Sequence, residues 1–397
     1  MKKLSVYAMF LGLVLAGNGF AEPKYHAKSI TWPGYYAIGF VYMSPDGTWG
    51  TGTAVPNNNV LPYMIPTVCF AYEKGAFRVV NTPGFSCAAE AGNSSGDFVG
   101  YLIDLNELAA LGNQNATPPS YQYLHYSKAK GTFDPIPTLP NYTTVTPPYP
   151  PAKFIGMTDT GDIFGGYSGP IDGNTSTLSA VVFKLEPHGA LVQLPGTAQG
   201  NLNTIFYSDN RGDAFGCSQA ANGTQCDFVE WPATGGVKDL NIKQPTLSYY
   251  YINAKGHSVE VLGNYPNTDN ECIFSNGEKS ITIPLAPTGA SHKYCSVLLA
   301  DTDDIMGVWI PPNQPATAGF LPFYYNPNLA RPEDLTSVTE GLPSGTILLA
   351  ANFANQTNGL VWATGSSSIP GPPGAYVPGD PDTLYLLTPI KSDSKSR

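Results

Sequence analysis

The pattern Gly-Asp-x-x-Gly recurs along this chain at long intervals and limits its fold more than any other feature. It stands as Gly96-Asp97-Phe98-Val99-Gly100, as Gly161-Asp162-Ile163-Phe164-Gly165 and as Gly212-Asp213-Ala214-Phe215-Gly216. A relaxed copy is Asp303-Asp304-Ile305-Met306-Gly307, and weaker copies surround Gly47, Gly256 and Gly345. Successive copies lie roughly 40 to 65 residues apart, the period of propeller blades and similar arrays. Such a chain is one repeated unit, and its fold follows from that unit.

The clearest unit divides into four short β-rich segments at 204–208, 213–217, 226–231 and 237–240. A turn at Asp209–Gly212, a polar loop at 218–225 and a tight turn at Thr234-Gly235-Gly236 separate them. Four short strands joined by hairpins make one antiparallel blade. Glycine in the first turn supplies the positive φ that a hairpin turn or bulge requires. The same order appears at 154–158, 162–167, 180–185 and 190–194, and again at 246–253, 257–262, 272–275 and 279–284. Counting the weak copies gives seven units. Single blades cannot bury both faces, so the expectation is an all-β, seven-bladed β-propeller of four-stranded antiparallel blades.

The two ends support closure. The last unit is expected to have its second strand at 347–352 and its third at 384–389, with no fourth. Near the start, Lys28-Ser29-Ile30-Thr31-Trp32-Pro33 resembles Lys279-Ser280-Ile281-Thr282-Ile283-Pro284, a fourth strand in its own unit. The N-terminal segment therefore completes the last blade, which removes a free sheet edge.

The chain begins with Lys2 and Lys3, an apolar run at 4–16 and small residues up to Ala21. This is the pattern of a cleaved signal peptide at 1–21, with the propeller at 22–390 and a polar tail at 391–397. A secreted or periplasmic protein without a membrane span is expected. Charged residues make up only 13% and the formal charge is -10, becoming about -12 once Lys2 and Lys3 leave with the signal. Aromatic and turn residues abound, and the one helical stretch, at 104–111, is short. An acidic chain without basic clusters disfavours nucleic acid as a partner.

Six cysteines remain after export: Cys69, Cys87, Cys217, Cys226, Cys272 and Cys295. Six allow fifteen connectivities, and the repeat narrows them. Cys69 and Cys272 both open a third strand, and Cys87 and Cys295 both start the next unit's first strand. The expected bridges are Cys69–Cys87, Cys272–Cys295 and, across one hairpin loop, Cys217–Cys226. All three would staple the same rim.

The unit resembles the secreted bacterial HAF-type extracellular repeat, on the residues Gly161–Gly165, then Ala180-Val181-Val182-Phe183, then His188-Gly189-Ala190. The ending Leu384-Tyr385-Leu386-Leu387-Thr388-Pro389 is similar to that family's chain ends. The likeness covers most of the mature chain and is weakest at the insert 103–121. It implies a propeller-like, exported protein and brings no catalytic residue with it.

Motifs with chemical meaning are sparse. Arg211-Gly212-Asp213 matches an integrin-ligand tripeptide, but Gly-Asp is what this repeat places in its turns. Asp301, Asp303 and Asp304, with Asp159 and Asp162, lack the spacing of a calcium loop and suit turn stabilisation. Ser44-Pro45-Asp46-Gly47-Thr48-Trp49 is one residue short of a sialidase Asp-box. The five His are scattered, and no Gly-x-Ser-x-Gly elbow occurs. No motif implies a cofactor or a metal.

There remains the loop rim, with long polar and aromatic second-to-third loops at 53–67, 103–121, 168–179, 263–271, 310–317 and 352–382. Tyr101, Tyr167 and Trp309 leave the second strand at nearly equivalent places and are the candidate ligand-binding residues. Aromatic faces pack on sugars while Asn, Asp and Thr bond hydroxyls. The expected function is a binding module for carbohydrate or protein at the loop face. A polysaccharide-degrading enzyme, needing facing carboxylates in the central funnel, is the alternative. A structural or adhesive surface protein is a further one.

Overall fold

The computed structural model describes residues 24–57, 66–80, 82–110, 119–136, 152–170, 178–187, 190–198, 202–220, 225–245, 249–262, 271–284, 297–309, 321–366 and 383–390. The expected signal peptide and tail lie outside them.

Hairpin turns fold each repeat onto itself, and the result is seven sheets, each with four antiparallel strands in sequence order except at the closure. Blade 1 comprises Tyr35–Met43, Trp49–Pro56, Val68–Glu73 and Ala76–Val79. Blade 2 comprises Phe85–Gly92, Phe98–Asp104, Gln122–Ser127 and Thr132–Pro135. Blade 3 runs from Ala152–Met157 to Leu191–Gln193, and blade 4 from Leu202–Ser208 to Lys238–Pro245. Blade 5 spans Tyr249–Ile252 to Ser280–Thr282, and blade 6 spans Val297–Leu299 to Glu333–Asp334. With blade 7 they form a seven-bladed β-propeller. The expected helix is present as Leu105–Ala110, in the connection that follows the second strand of blade 2.

Blade 7 closes the ring. Its strands are Ile347–Asn355, Leu360–Ser366 and Thr383–Pro389, and the fourth is Tyr25–Ile30 from the other end of the chain. Tyr25 pairs with Pro389 and Ile30 with Leu384, antiparallel throughout. The short Thr339–Glu340 strand adds outside it in parallel. The closing strand is as expected, but two details differ. Residues 347–352 belong to the first strand, not the second, and the second strand lies inside what the sequence suggested was loop 352–382. The turn of this blade is Asn355–Gly359 rather than the one around Gly345. It carries one extra residue before its glycine, so the repeat spacing does not reveal it.

Apolar burial follows the ring. Among the described residues the core divides into seven clusters, one at each contact between neighbouring blades. Phe154, Phe183 and Val99 join blades 2 and 3, for example, while Phe215, Phe228 and Ile252 join blades 4 and 5. Strand alternation explains this: each blade presents one apolar face to either side.

The recurring motif now has a physical basis. Gly212 holds φ at 92°, a left-handed turn that a side chain would strain. Gly216 lies where a Cβ would meet the Thr204 carbonyl oxygen of the first strand. The first strand is bulged there, between Ile205 and Tyr207, and the bulge swings its backbone across the second strand. The motif Asp ties this turn to the turn that follows the third strand. Asp97 Oδ1 accepts the Lys128 N–H at 2.8 Å, and Asp213 Oδ1 accepts that of Ala233 at 2.9 Å. In blade 6 the left-handed position is held by Asp303, with φ of 69°. Neighbours compensate: His257 Nδ1 lies 2.8 Å from its carboxylate and Lys255 Nζ donates to it at 3.0 Å.

The first-to-second turns form a belt around the axis. All but that of blade 6, which starts at Ala300, begin with a residue whose side chain caps the turn, as Asn93 Oδ1 accepts the N–H groups of Ser95 and Asp97 at 3.1 Å. Several also reach the next blade. Asn93 Nδ2 donates to the Thr158 carbonyl at 3.0 Å, Asn253 Nδ2 to that of Ala300 at 2.9 Å, and Asn355 Nδ2 to that of Met43 at 2.7 Å. Arg211 belongs to this belt, donating to Asp209 at 2.6 Å and to the Ala254 carbonyl at 3.2 Å. Its tripeptide is thus accounted for by turn architecture.

Candidate functional site

Two concave sites flank this frame. The first lies in the axial channel, near the turn belt, with a cavity of about 200 Å³. In blades 1 to 4 the first strand is bulged three residues before the turn cap, and the extra residue is Val41, Glu90, Ile155 or Phe206. All four line the cavity, with Tyr42, Met157, Tyr207 and Phe353. Three of the four are apolar. The fourth, Glu90, is the only carboxylate among the described residues that line it.

Glu90 is fixed by the next blade. Its Oε2 accepts the Phe154 N–H at 2.8 Å, and no described residue bonds Oε1. Burial pushes its carboxyl up to about 7, opposed by the Phe154 hydrogen bond and the Lys153 charge. Burial, with Asp159 near by, likewise raises Tyr42 to about 12. Tyr207 rises further through burial and the adjacent Asp301 and Asp209.

The second site is a cleft, also of about 200 Å³, where blade 7 meets blade 1 on the loop rim. Trp32 and Tyr35 stack at 3.7 Å, and Trp32 lies nearly parallel to Phe77 at 4.6 Å. Thr31, Asn57, Thr364 and Thr383 add hydroxyls and an amide to the same cleft, and among the described residues that line it no side chain carries a charge.

The three aromatic candidates do not share one setting. Measured from the close-packed glycine of each second strand, Tyr167 and Trp309 stand two residues beyond Gly165 and Gly307, whereas Tyr101 stands one beyond Gly100. Pairing agrees, since Tyr167 faces Ala152, while Leu102, not Tyr101, faces the equivalent Cys87. With alternation along the strand, Tyr101 points to the sheet face opposite that of Trp309. Tyr101 is half-buried, 5.3 Å from Tyr121 in an edge contact, and burial together with Glu90 raises it to about 12. Trp309 is 7% exposed and packs in the cluster between blades 5 and 6, so it offers no open ring face. The side chain of Tyr167 lies outside the described residues, as do the inner parts of the long loops.

Two of the expected bridges are present. Cys69–Cys87 ties blade 1 to blade 2, and Cys217–Cys226 spans one hairpin of blade 4. Cys272 is also disulfide-bonded, while Cys295 lies outside the described residues. Disulfides of this kind fit an oxidising compartment. No helix among the described residues is long and apolar enough to cross a membrane. No group of three or more His, Cys, Asp or Glu able to hold a metal occurs among them either.

Glu90, Trp32 and Tyr35 escaped the sequence reading. Glu90 had a usable signal: aligned on the turn caps Ser44, Asn93, Thr158 and Asp209, it is the one acid at a position otherwise Val, Ile or Phe. Trp32 was seen only as part of a strand.

Comparison with solved structures agrees on the fold. The β-propeller domain of the trilobed protease from Pyrococcus furiosus matches with a TM-score of 0.50 at 7% identity, over 88% of this chain and 94% of that one. That domain has an open velcro topology, whereas here Tyr25–Ile30 pairs with Thr383–Pro389. An acylaminoacyl peptidase from Pyrococcus horikoshii matches with a TM-score of 0.50 at 7% identity, over 93% of this chain. The chain spans about half of that peptidase, 52% of its length. Virginiamycin B lyase from Staphylococcus aureus is looser, with a TM-score of 0.45 at 14% identity over 92% and 100% of the two chains. At such identities the likeness concerns the fold alone. No family model and no curated protein matches the chain.

Proposed function

We propose that this protein is an exported carbohydrate-binding module, and that the cleft between blades 7 and 1 holds the sugar. The observation carrying this reading is the cleft's composition: stacked Trp32 and Tyr35 beside Thr31, Asn57, Thr364 and Thr383, with no charge among them. Aromatic surface covers the apolar face of a pyranose, and neutral hydroxyls and amides exchange hydrogen bonds with its hydroxyls. The alternative, glycoside cleavage in the funnel, needs two opposed carboxylates. The described channel wall supplies one, Glu90, which favours binding over hydrolysis. The loose resemblance to HAF-type repeats accords with export.

The test incubates the purified protein with a panel of neutral and acidic polysaccharides, scoring retention and new reducing ends together. Retention without new ends is expected, lost at least tenfold in Tyr35→Ala and in Thr364→Ala. New ends on any substrate would replace this reading with the enzymatic one. Retention unchanged in both variants would move the site elsewhere on the rim and leave a protein ligand as the better idea for the cleft.

A further inference from the structure

The axial cavity is a second concave site, separate from the rim cleft and independent of what that cleft binds. Four features define it. Its wall combines aromatic side chains, Tyr42, Phe206 and Tyr207, with polar ones, Ser208, Asn210 and Gln356. It holds one carboxylate, set by a bulge at a position where the neighbouring blades place apolar side chains. One oxygen of that carboxylate is anchored on the Phe154 N–H, which fixes the group, and the other has no described partner. The turn belt beside it adds Asp159 and Asp301, whose carboxylates accept the Ser94 and Ala254 N–H groups at 2.8 Å.

We infer that this cavity binds a small organic ammonium ion, with Glu90 as its counter-charge and Tyr42, Phe206 and Tyr207 as its aromatic wall. A cation over aromatic faces is attracted by their quadrupoles, and the attraction grows when water is excluded. A largely desolvated carboxylate held by one hydrogen bond takes up a proton readily, and a bound cation offsets the cost of its charge. A neutral sugar would gain nothing from the charge, and an anion would be repelled by Glu90, Asp159 and Asp301. The volume suits a head group of a few heavy atoms rather than a polymer chain.

The charged and titratable groups facing Glu90 come from two neighbours. Lys153 stands on the first strand of blade 3, and Tyr101 stands on the second strand of its own blade with Tyr121 beyond it. Lys153 opposes a second cation, but its charge acts on Glu90 less than burial or the Phe154 hydrogen bond does. Because the Glu90 carboxyl is raised to about 7, ammonium binding should strengthen as pH rises through that value.

The probe is n-butylammonium, with 1-butanol as its uncharged counterpart, titrated calorimetrically into the full-length purified protein at pH 6 and pH 8. The expected result is saturable binding of the ammonium at pH 8, at least tenfold tighter than the alcohol and weaker at pH 6. Glu90→Gln keeps an acceptor for the Phe154 N–H and should lose at least tenfold in ammonium affinity together with the pH dependence. Tyr42→Leu should lose affinity for the ammonium while keeping its pH dependence. Equal binding of ammonium and alcohol, or equal ammonium binding by wild type and Glu90→Gln, would overturn the inference, as would no binding at pH 8. Near-ultraviolet circular dichroism on each variant separates lost binding from lost folding.

Discussion

Asn355 Nδ2 donates to the carbonyl oxygen of Met43 at 2.7 Å, a fully buried bond between residues 312 positions apart. It joins the turn of the last blade to the end of the first strand of blade 1. Removing the donor leaves a buried carbonyl unpaired, which costs about 1–3 kcal/mol. Asn355→Ala should lower the unfolding free energy by about that amount in urea titration. Asn358→Ala, whose bond to the Pro45 carbonyl is exposed, should cost under about 1 kcal/mol.

The closing strand itself carries more. Tyr25, Ala27 and Ile30 are buried, and Tyr25–Ile30 satisfies the edge of Thr383–Pro389. Deleting residues 24–32 should abolish cooperative unfolding or lower the thermal midpoint by about 10 °C or more, since the loss exceeds several kcal/mol at about 1.5–3 kcal/mol per buried large side chain. An unchanged melting curve would mean the ring does not depend on this strand.

Glycine in the second strand is required by the bulge opposite it. At Gly100 an added Cβ would meet the Ala88 carbonyl oxygen, while at Gly166 the nearest atom is Ile205 Cγ2 at 3.6 Å, an ordinary contact. Gly100→Ala should destabilise by about 1–3 kcal/mol or more, as overpacking does. Gly166→Ala should fall within about 1 kcal/mol of wild type. Equal costs, measured as denaturant midpoints, would show that the bulge yields readily.

The bridge Cys69–Cys87 closes a sequence separation of 18 residues. A loop of that size restricts the unfolded chain by about 3 kcal/mol in the chain-entropy treatment. The paired substitution Cys69→Ser with Cys87→Ser should lose about 2–4 kcal/mol in urea, and adding a reductant should then matter less than it does to wild type.

Glu90 gives stability a definite pH dependence. Its folded carboxyl is raised from an ordinary value to about 7, so the folded state holds its proton more tightly than the unfolded state. Below the unfolded value both states are protonated and nothing is lost. Between the ordinary carboxylate range and about 7 the unfolded chain ionises alone, and stability falls; above about 7 the full loss, on the order of a few kcal/mol, is present. Glu90→Gln should therefore match wild type near pH 4 and exceed it at pH 8. Parallel stability curves for the two proteins across that range would refute the assignment.

Sequence and structure divide the account in a physically simple way. Turn chemistry is local, so Gly212 with its capping Asp209 marked the hairpins, and the repeat they define sufficed for strand order, blade number, ring closure and the pairing of Cys69 with Cys87. The turn at Asn355–Gly359 escaped because one inserted residue breaks the spacing without disturbing the cap. Which face a side chain occupies is not local in a bulged strand. One extra residue reverses the alternation, and the bulge is visible only against its partner strand. The sequence therefore determined the propeller, while the tertiary structure decided that Glu90 enters the channel and that Trp309 is core. Those outcomes depend on contacts between blades, where the cost of burying a ring or a charge is set by what the neighbouring blade presents.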